Sequence, residues 1–258
     1  MMLCEHPTEC TVKDVRFGDR FMKPWQVDQL DFAPNTKTPE QLFQRFVSAA
    51  RKLGFEFCAY GTRLPLPVTK PRVISFSNYP LEWRRLYIER DYLSIDPTVR
   101  YGSRTSITMI WSDELFASCP QMWREAQSFG LRYGWCRSSF DSHGVCGLLT
   151  LARSTGPISE QELRDKSIAI DALTHAVHAA MTKCLMHRLI PECTAKLSNQ
   201  ELTVLRWTGE GYCSREIAQL MNIAERTVNF HATNATAKLN ASNKTAAVMR
   251  AAVLGLLY

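Results

Sequence analysis

In the stretch SNYPLEWRRLYIERDYLSIDP, residues 77–97, Tyr79, Trp83 and Tyr87 recur every four residues, and Asp96 stands just before a proline. Positions four apart share one helix face, so two phenols and an indole line one side of a short helix. An indole only donates hydrogen bonds, a phenol donates and accepts, and an ionised carboxylate only accepts. Such a set suits three purposes: ordinary core packing, a seat for a small polar molecule, or a catalytic carboxylate. The chain carries no G-x-S-x-G elbow, metal-binding histidine run or phosphate loop to support the third. His175, His178, Cys184 and His187 recur in threes on one predicted helix and could hold a metal, but a packed or solvated helix explains them equally well. The expectation is no metal, no catalytic residue and no cofactor.

The bulk of the chain sets limits on the rest. At 258 residues, with 45% hydrophobic and 22% charged residues, it reads as a globular protein of one large domain or two modest ones. No apolar run reaches the roughly eighteen residues of a membrane span, so no membrane partner is expected. The opening MMLCEHPTEC lacks the basic-then-apolar layout of a secretory signal, which makes the cytoplasm the expected location. Nine cysteines are scattered without a C-x-x-C pair, and in a cytosolic setting they read as small buried hydrophobes rather than disulfides. The net charge of +6 permits nucleic-acid binding without specifying it.

These residues must be positioned by an N-terminal α+β domain. PEQLFQRFVSAARKLG places Leu42, Phe43, Phe46, Val47, Ala50 and Leu53 at helical spacing, with Gly54 as a stop. FEFCAYGT and RVISFS read as strands joined by the proline-rich LPLPVTKP, and Leu81 to Arg90 as a short helix behind Pro80. PQMWREAQSFG reads as another helix. WCRSSF and VCGLLTLA flank Asp141-Ser142-His143-Gly144, a hairpin signal. Ser159-x-x-Glu162 opens a long helix in capping-box fashion, running to about His187. Helices, then strands, then helices imply an αβα-sandwich around an antiparallel sheet. Residues 1–35 show little periodicity and read as an arm; 36–188 form the sandwich; 189–196, with a central proline, form a linker.

From 197 to 258 the chain turns all-α. Ser198-Asn199-Gln200-Glu201 is a second capping box. SREIAQLM forms a short helix that Ser214 can cap, Asn222 and Ile223 make a turn, and AERTVNFHATNATAKL forms a third helix with Val228, Ala232, Ala235 and Leu239 inward. KTAAVMRAAVLGLL supplies a fourth. This is a helix-turn-helix layout. Six basic residues against four glutamates give only +2, so the pattern and not the charge points to DNA. The outer face of the third helix offers Arg226, Thr227, Asn229, Phe230 and Thr233, with Ser214 on the second helix a further DNA-binding candidate; Asn can pair with adenine, and Arg or Thr can reach guanine or phosphate. A four-helix bundle with a polar surface is the plainer alternative.

These residues carry a resemblance to a known family. Glu201, Leu205, Gly211, Glu216-Ile217-Ala218 and Thr227-Val228-x-x-His231 resemble the DNA-binding module of LuxR-type transcription regulators. Gly209, Tyr212 and Ala224 depart from that pattern, and Ala224 removes the usual capping hydroxyl at the third helix. Tyr79-x-x-x-Trp83, Tyr87, Asp96-Pro97, Trp111 and Gly134 resemble the ligand-binding domain of LuxR-type receptors for N-acyl-homoserine lactones, orphan-type receptors in particular.

The resemblance implies a quorum-sensing regulator in which Asp96 accepts the ligand amide N–H. Trp83 would meet the lactone carbonyl, Tyr79 the acyl carbonyl, Trp111 the lactone ring, and Thr150 would add a hydroxyl. Tyr60, Val73, Tyr87, Val99 and Leu148 are candidates along the acyl tail. Val73 and Ser75 stand where bulkier side chains occur in relatives, which implies a roomy channel and a long acyl chain. The implied partners are DNA, a small autoinducer and a second copy of the chain, with RNA polymerase a further candidate. The rivals are the same architecture sensing a non-lactone molecule, or no ligand, and a lactone hydrolase built on Asp96.

Overall fold

The computed structural model describes residues 38–141 and 145–257. The expected arm of residues 1–35 and the turn at 142–144 lie outside them. Helix α1 (Pro39–Lys52) begins where the Thr38 hydroxyl accepts a hydrogen bond from the Gln41 backbone N–H at 3.2 Å, with Pro39 opening the first turn. It buries Leu42, Phe43, Phe46, Val47 and Ala50 and stops before Gly54, whose φ of +88° only glycine adopts cheaply.

Five strands follow: β1 (Phe57–Arg63), β2 (Val73–Ser77), β3 (Met109–Ile110), β4 (Tyr133–Phe140) and β5 (Cys146–Arg153). All pairings are antiparallel, in the order β2-β1-β5-β4-β3. The two-residue β3 was not expected, being too short to show an alternation. On one side of the sheet lie α1 and α5 (Glu160–Leu189). On the other lie α2 (Leu81–Glu89), α3 (Pro97–Gly102) and α4 (Pro120–Ser128). The fold is therefore the αβα-sandwich expected, followed by four helices.

The two faces of the sheet differ in side-chain size, and this creates the cavity described below. Cross-strand partners share a face, so the register puts Tyr60, Ile74, Phe76, Trp135, Leu149 and Leu151 on the α1/α5 side, where they fill the main core. The opposite face carries Ala59, Gly61, Ser75, Ser77, Gly134, Cys136, Leu148, Thr150 and Ala152. Most of these are small. A sheet packs as densely as its side chains allow, so the small face leaves room between itself and α2–α3.

Helix α5 sends Ile170, Leu173, Thr174, Val177, His178, Met181, Thr182, Leu185 and Met186 inward at alternating spacings of three, one and three. Its start departs from the expected capping box. The Ser159 hydroxyl accepts from the Glu162 backbone N–H at 3.1 Å, but the Glu162 carboxylate does not return to the cap. It takes a two-pronged contact from Arg153 (2.9 and 2.7 Å) and another from Lys166 (2.6 Å), tying the end of β5 to the first turns of α5. A guanidinium and an ammonium outcompete a backbone amide for a carboxylate.

The Arg153 and Lys166 contacts hold the Glu162 carboxyl down at about 2, from 4.5. A depressed acid contributes stability above its unfolded value and loses it as pH falls through the folded one. Glu162→Gln should therefore lower the unfolding free energy of this domain above pH 5 by on the order of 2 kcal/mol. In urea titrations at stepped pH, the gap between variant and wild type should close between about pH 4.5 and 2.

Candidate ligand cavity and nucleic-acid interface

A cavity of about 1390 Å³ lies between the small face of the sheet and α2–α3 and extends to Glu40, Phe43 and Gln44 of α1 and to Val253. The ten residues expected at a ligand site, Tyr60, Val73, Tyr79, Trp83, Tyr87, Asp96, Val99, Trp111, Leu148 and Thr150, all border it. They do not all do so in the same way.

Asp96 is anchored from three directions. Its Oδ1 caps α3, accepting from the Thr98 backbone N–H at 2.8 Å and the Thr98 hydroxyl at 2.7 Å, while Oδ2 accepts from the Tyr87 hydroxyl at 2.9 Å. Burial pushes the carboxyl above its ordinary value against the pull of these hydrogen bonds. No cation pairs with it among the described residues. Tyr87 is thereby committed to Asp96, so its place is beside the polar end of the cavity and not simply along an apolar tail channel. Burial and the adjacent carboxylate drive its phenol pKa up.

Trp83 is 3% exposed and packs edge-on to Tyr87, with Tyr92 and Phe129 beyond. Neither its indole nitrogen nor the hydroxyls of Tyr79 and Thr150 makes a hydrogen bond among the described residues, although all three side chains border the cavity. Three donors thus accompany one fixed acceptor. Trp111 differs: its Nε1 is buried without a partner, so what it offers the cavity is ring surface. That ring lies over Gly134, where an added Cβ would come within 2.1 Å of it.

Tyr60 borders the cavity but directs its hydroxyl elsewhere. Strand alternation turns it away from Thr150 and Leu148, into the α1/α5 layer, where its hydroxyl is 2.9 Å from His178 Nδ1. His178 Nε2 lies 3.0 Å from the Val145 carbonyl; an acceptor there places the proton on Nε2 and leaves Nδ1 to accept from Tyr60. Burial pushes the Tyr60 phenol to about 12 and lowers the His178 pKa. The imidazole is a neutral structural link. His175 meets the Ser139 hydroxyl at 3.0 Å, and the His187 side chain lies outside the described set.

Three contributors were missed. Thr98 orients Asp96, and D-P-T is legible in retrospect as a capped helix start. Phe116 and Trp123 stack at 4.5 Å and 11°, and both meet Trp111 edge-on at 5.9 Å, walling the polar end. Their sequence positions carry no signal that joins them, because the loop between β3 and α4 brings them together.

In the carboxyl-terminal module the helices are α6 (Asn199–Gly209), α7 (Ser214–Met221), α8 (Glu225–Lys238) and α9 (Lys244–Val253). The Ser198/Glu201 capping box is present, and Lys238 Nζ sits 2.7 Å from buried Glu201, pinning the end of α8 to the start of α6. Ser214 does not cap α7. Cys213 takes that place, its backbone N–H donating to Glu216 at 2.7 Å, and Ser214 lies in the first turn with its hydroxyl 3.4 Å from Lys244. Asn222, at φ 52°, makes the turn into α8, and Ala224 leaves α8 without a side-chain cap. Val228, Ala232, Ala235 and Leu239 face inward; Arg226, Asn229, Phe230 and Thr233 are exposed and Thr227 half-buried.

With that geometry in view, the comparisons are direct. Residues 38–181 match the autoinducer binding domain, and residues 195–251 match the bacterial regulatory proteins of the luxR family. The transcriptional activator SolR of Ralstonia nicotianae is 45% identical over 84% of this chain and 92% of its own length. The transcriptional activator AnoR of Acinetobacter nosocomialis is 41% identical over 92% of this chain and all of its own length. The crystal structure of Escherichia coli SdiA covers 91% of this chain and 98% of its own, with a TM-score of 0.77 at 30% identity. The chain belongs to the LuxR family of quorum-sensing transcription regulators, with an autoinducer-binding domain followed by a DNA-binding domain. The family is one of regulators, not enzymes.

Gly134→Ala tests how the polar end is held. The added methyl group must displace Trp111, at a cost of about 1–3 kcal/mol, lowering the melting temperature and shifting the tryptophan fluorescence of the folded protein.

Proposed function

We propose that this chain binds an N-acyl-homoserine lactone and then, as a cytoplasmic homodimer, a palindromic DNA site. The observation that carries the ligand reading is the fixed Asp96 acceptor set among the donors of Trp83, Tyr79 and Thr150, which have no partner among the described residues. A carboxylate has about four lone-pair directions, and the bonds from Thr98 and Tyr87 use three. One remains for an amide N–H. The indole N–H of Trp83 suits the lactone carbonyl, the Tyr79 hydroxyl the acyl carbonyl, Thr150 adds a hydroxyl, and Trp111 supplies ring surface to the lactone.

The acyl tail then runs over Val99, Leu148 and Val73 along the small face of the sheet, and the cavity volume favours a long chain. Filling it adds apolar burial to the domain and stabilises the folded dimer by mass action. The candidate surfaces for a second copy are the long helix α5 and helix α9, on which Ile168 and Met249 are exposed. Two-fold symmetry matches two copies of α8 to two half-sites, and RNA polymerase is the partner an activator would engage.

A second reading has a specific support. SdiA has been solved in complex with octanoyl-rac-glycerol, an acyl amphiphile with hydroxyls in place of the amide. In this chain Asp96 could accept from such a hydroxyl through the same free lone pair. Titration with matched acyl-homoserine lactones and acylglycerols separates the two.

Asp96→Asn keeps the cap to Thr98 but turns an NH₂ toward Tyr87 and removes the charge. A charge-assisted hydrogen bond is worth roughly 1.5–3 kcal/mol, so half-maximal lactone response in a reporter assay should rise about ten- to a hundredfold. Wild-type affinity should also weaken as pH falls through the raised Asp96 pKa, because the protonated acid accepts less well. A wild-type response from both Asp96→Asn and Trp83→Phe would refute the site. On the DNA side, Asn229→Ala should cost about 1–3 kcal/mol on the specific site and little on random duplex, measured by competition binding.

A further inference from the structure

We infer that Phe230 reads the 5-methyl group of a thymine in each half-site. This rests on α8 being the helix that enters the major groove. Phe230 is 60% exposed, on the side of α8 opposite the buried Val228, Ala232, Ala235 and Leu239. Its only ring contact among the described residues is with the neighbouring His231, at 5.7 Å. It plays no part in holding the module together.

Its position gives the exposure meaning. Arg226, Asn229, Phe230 and Thr233 follow the i, i+3, i+4, i+7 spacing of a single helix face, so the phenyl ring sits among the polar groups that would meet base edges. Thr233 donates its hydroxyl to the Asn229 carbonyl at 2.9 Å. Among these four side chains Phe230 is the apolar one. In the major groove, guanine, cytosine and adenine present only hydrogen-bonding groups, and the one apolar feature is the thymine methyl group. A ring placed there gains by covering that methyl and loses by lying against an unsatisfied donor or acceptor. Phosphates offer it nothing.

The test removes the methyl group and nothing else. Full-length protein, with and without N-dodecanoyl-homoserine lactone, is used to select duplexes from a randomised pool, and each thymine of the selected site is then replaced singly by uracil. Base pairing and groove hydrogen bonds are unchanged by that exchange. At one or two positions per half-site, wild type should bind the uracil duplex about fourfold more weakly per methyl group lost. Phe230→Ala should bind thymine and uracil duplexes alike at those positions, with an unaltered melting temperature because the ring is exposed. Phe230→Leu, which keeps apolar surface, should restore part of the difference.

A selected site without thymine, equal binding of thymine and uracil duplexes by wild type, or undiminished methyl sensitivity in Phe230→Ala would each overturn the assignment while leaving DNA binding intact. Failure to select any duplex in either condition would overturn the DNA-reading role of α8 and this assignment with it.

Discussion

Strand alternation is the constraint on which the sensing domain depends. Because successive side chains point to opposite faces, β1 cannot place Tyr60 in the core without placing Ala59 and Gly61 on the far side. The same holds for Leu149 and Leu151 against Leu148, Thr150 and Ala152 on β5. Large residues on one face give a packed layer against α1 and α5 that is complete without a ligand. Small residues on the other leave α2 and α3 standing off the sheet. The cavity is thus a consequence of composition by face.

Two buried carboxylates show how context sets the charge state that similar groups favour. Glu201 meets Lys238 and the Ser198 backbone N–H, which hold its pKa down against the cost of burial. It is an ion pair fastening one helix to another. Asp96 is held by neutral donors alone, and burial wins, driving its pKa up. A carboxylate positioned by neutral donors and unpaired with a cation keeps the cost of its burial.

The two domains meet through a small apolar cluster. Leu254, just past α9, packs with Leu64 and Leu66 beyond β1, with Val145 before β5, and with Met186 and Ile190 at the end of α5. Glu192 in the joint receives Asn240 at 2.9 Å and Arg250 at 3.5 Å. Val145 also accepts from His178, whose other nitrogen meets Tyr60. The core behind the cavity floor is therefore in contact, through one imidazole, with the surface on which the DNA-binding module rests.

Local patterns determined much by themselves. The period of apolar residues marks α1, α5 and α8, the Ser198/Glu201 spacing sets a helix start, and the spacing of Trp83 and Tyr87 puts them near one face of α2, whereas Tyr79, expected on the same helix, stands just before its Pro80 cap. These depend only on neighbours within a turn or two, so they survive in one dimension. Tertiary structure decided what depends on competition or on distance. Glu162 sits at capping-box spacing, yet Arg153 claims it. Ser214 is a good capping residue, yet Cys213 has the extended backbone the cap requires. Tyr60 borders the cavity, yet cross-strand register sends its hydroxyl to His178. Trp111, Phe116 and Trp123 meet only because a loop folds back over Gly134. A side chain's type states what it can bond; which partner it obtains is set by the chain brought alongside it.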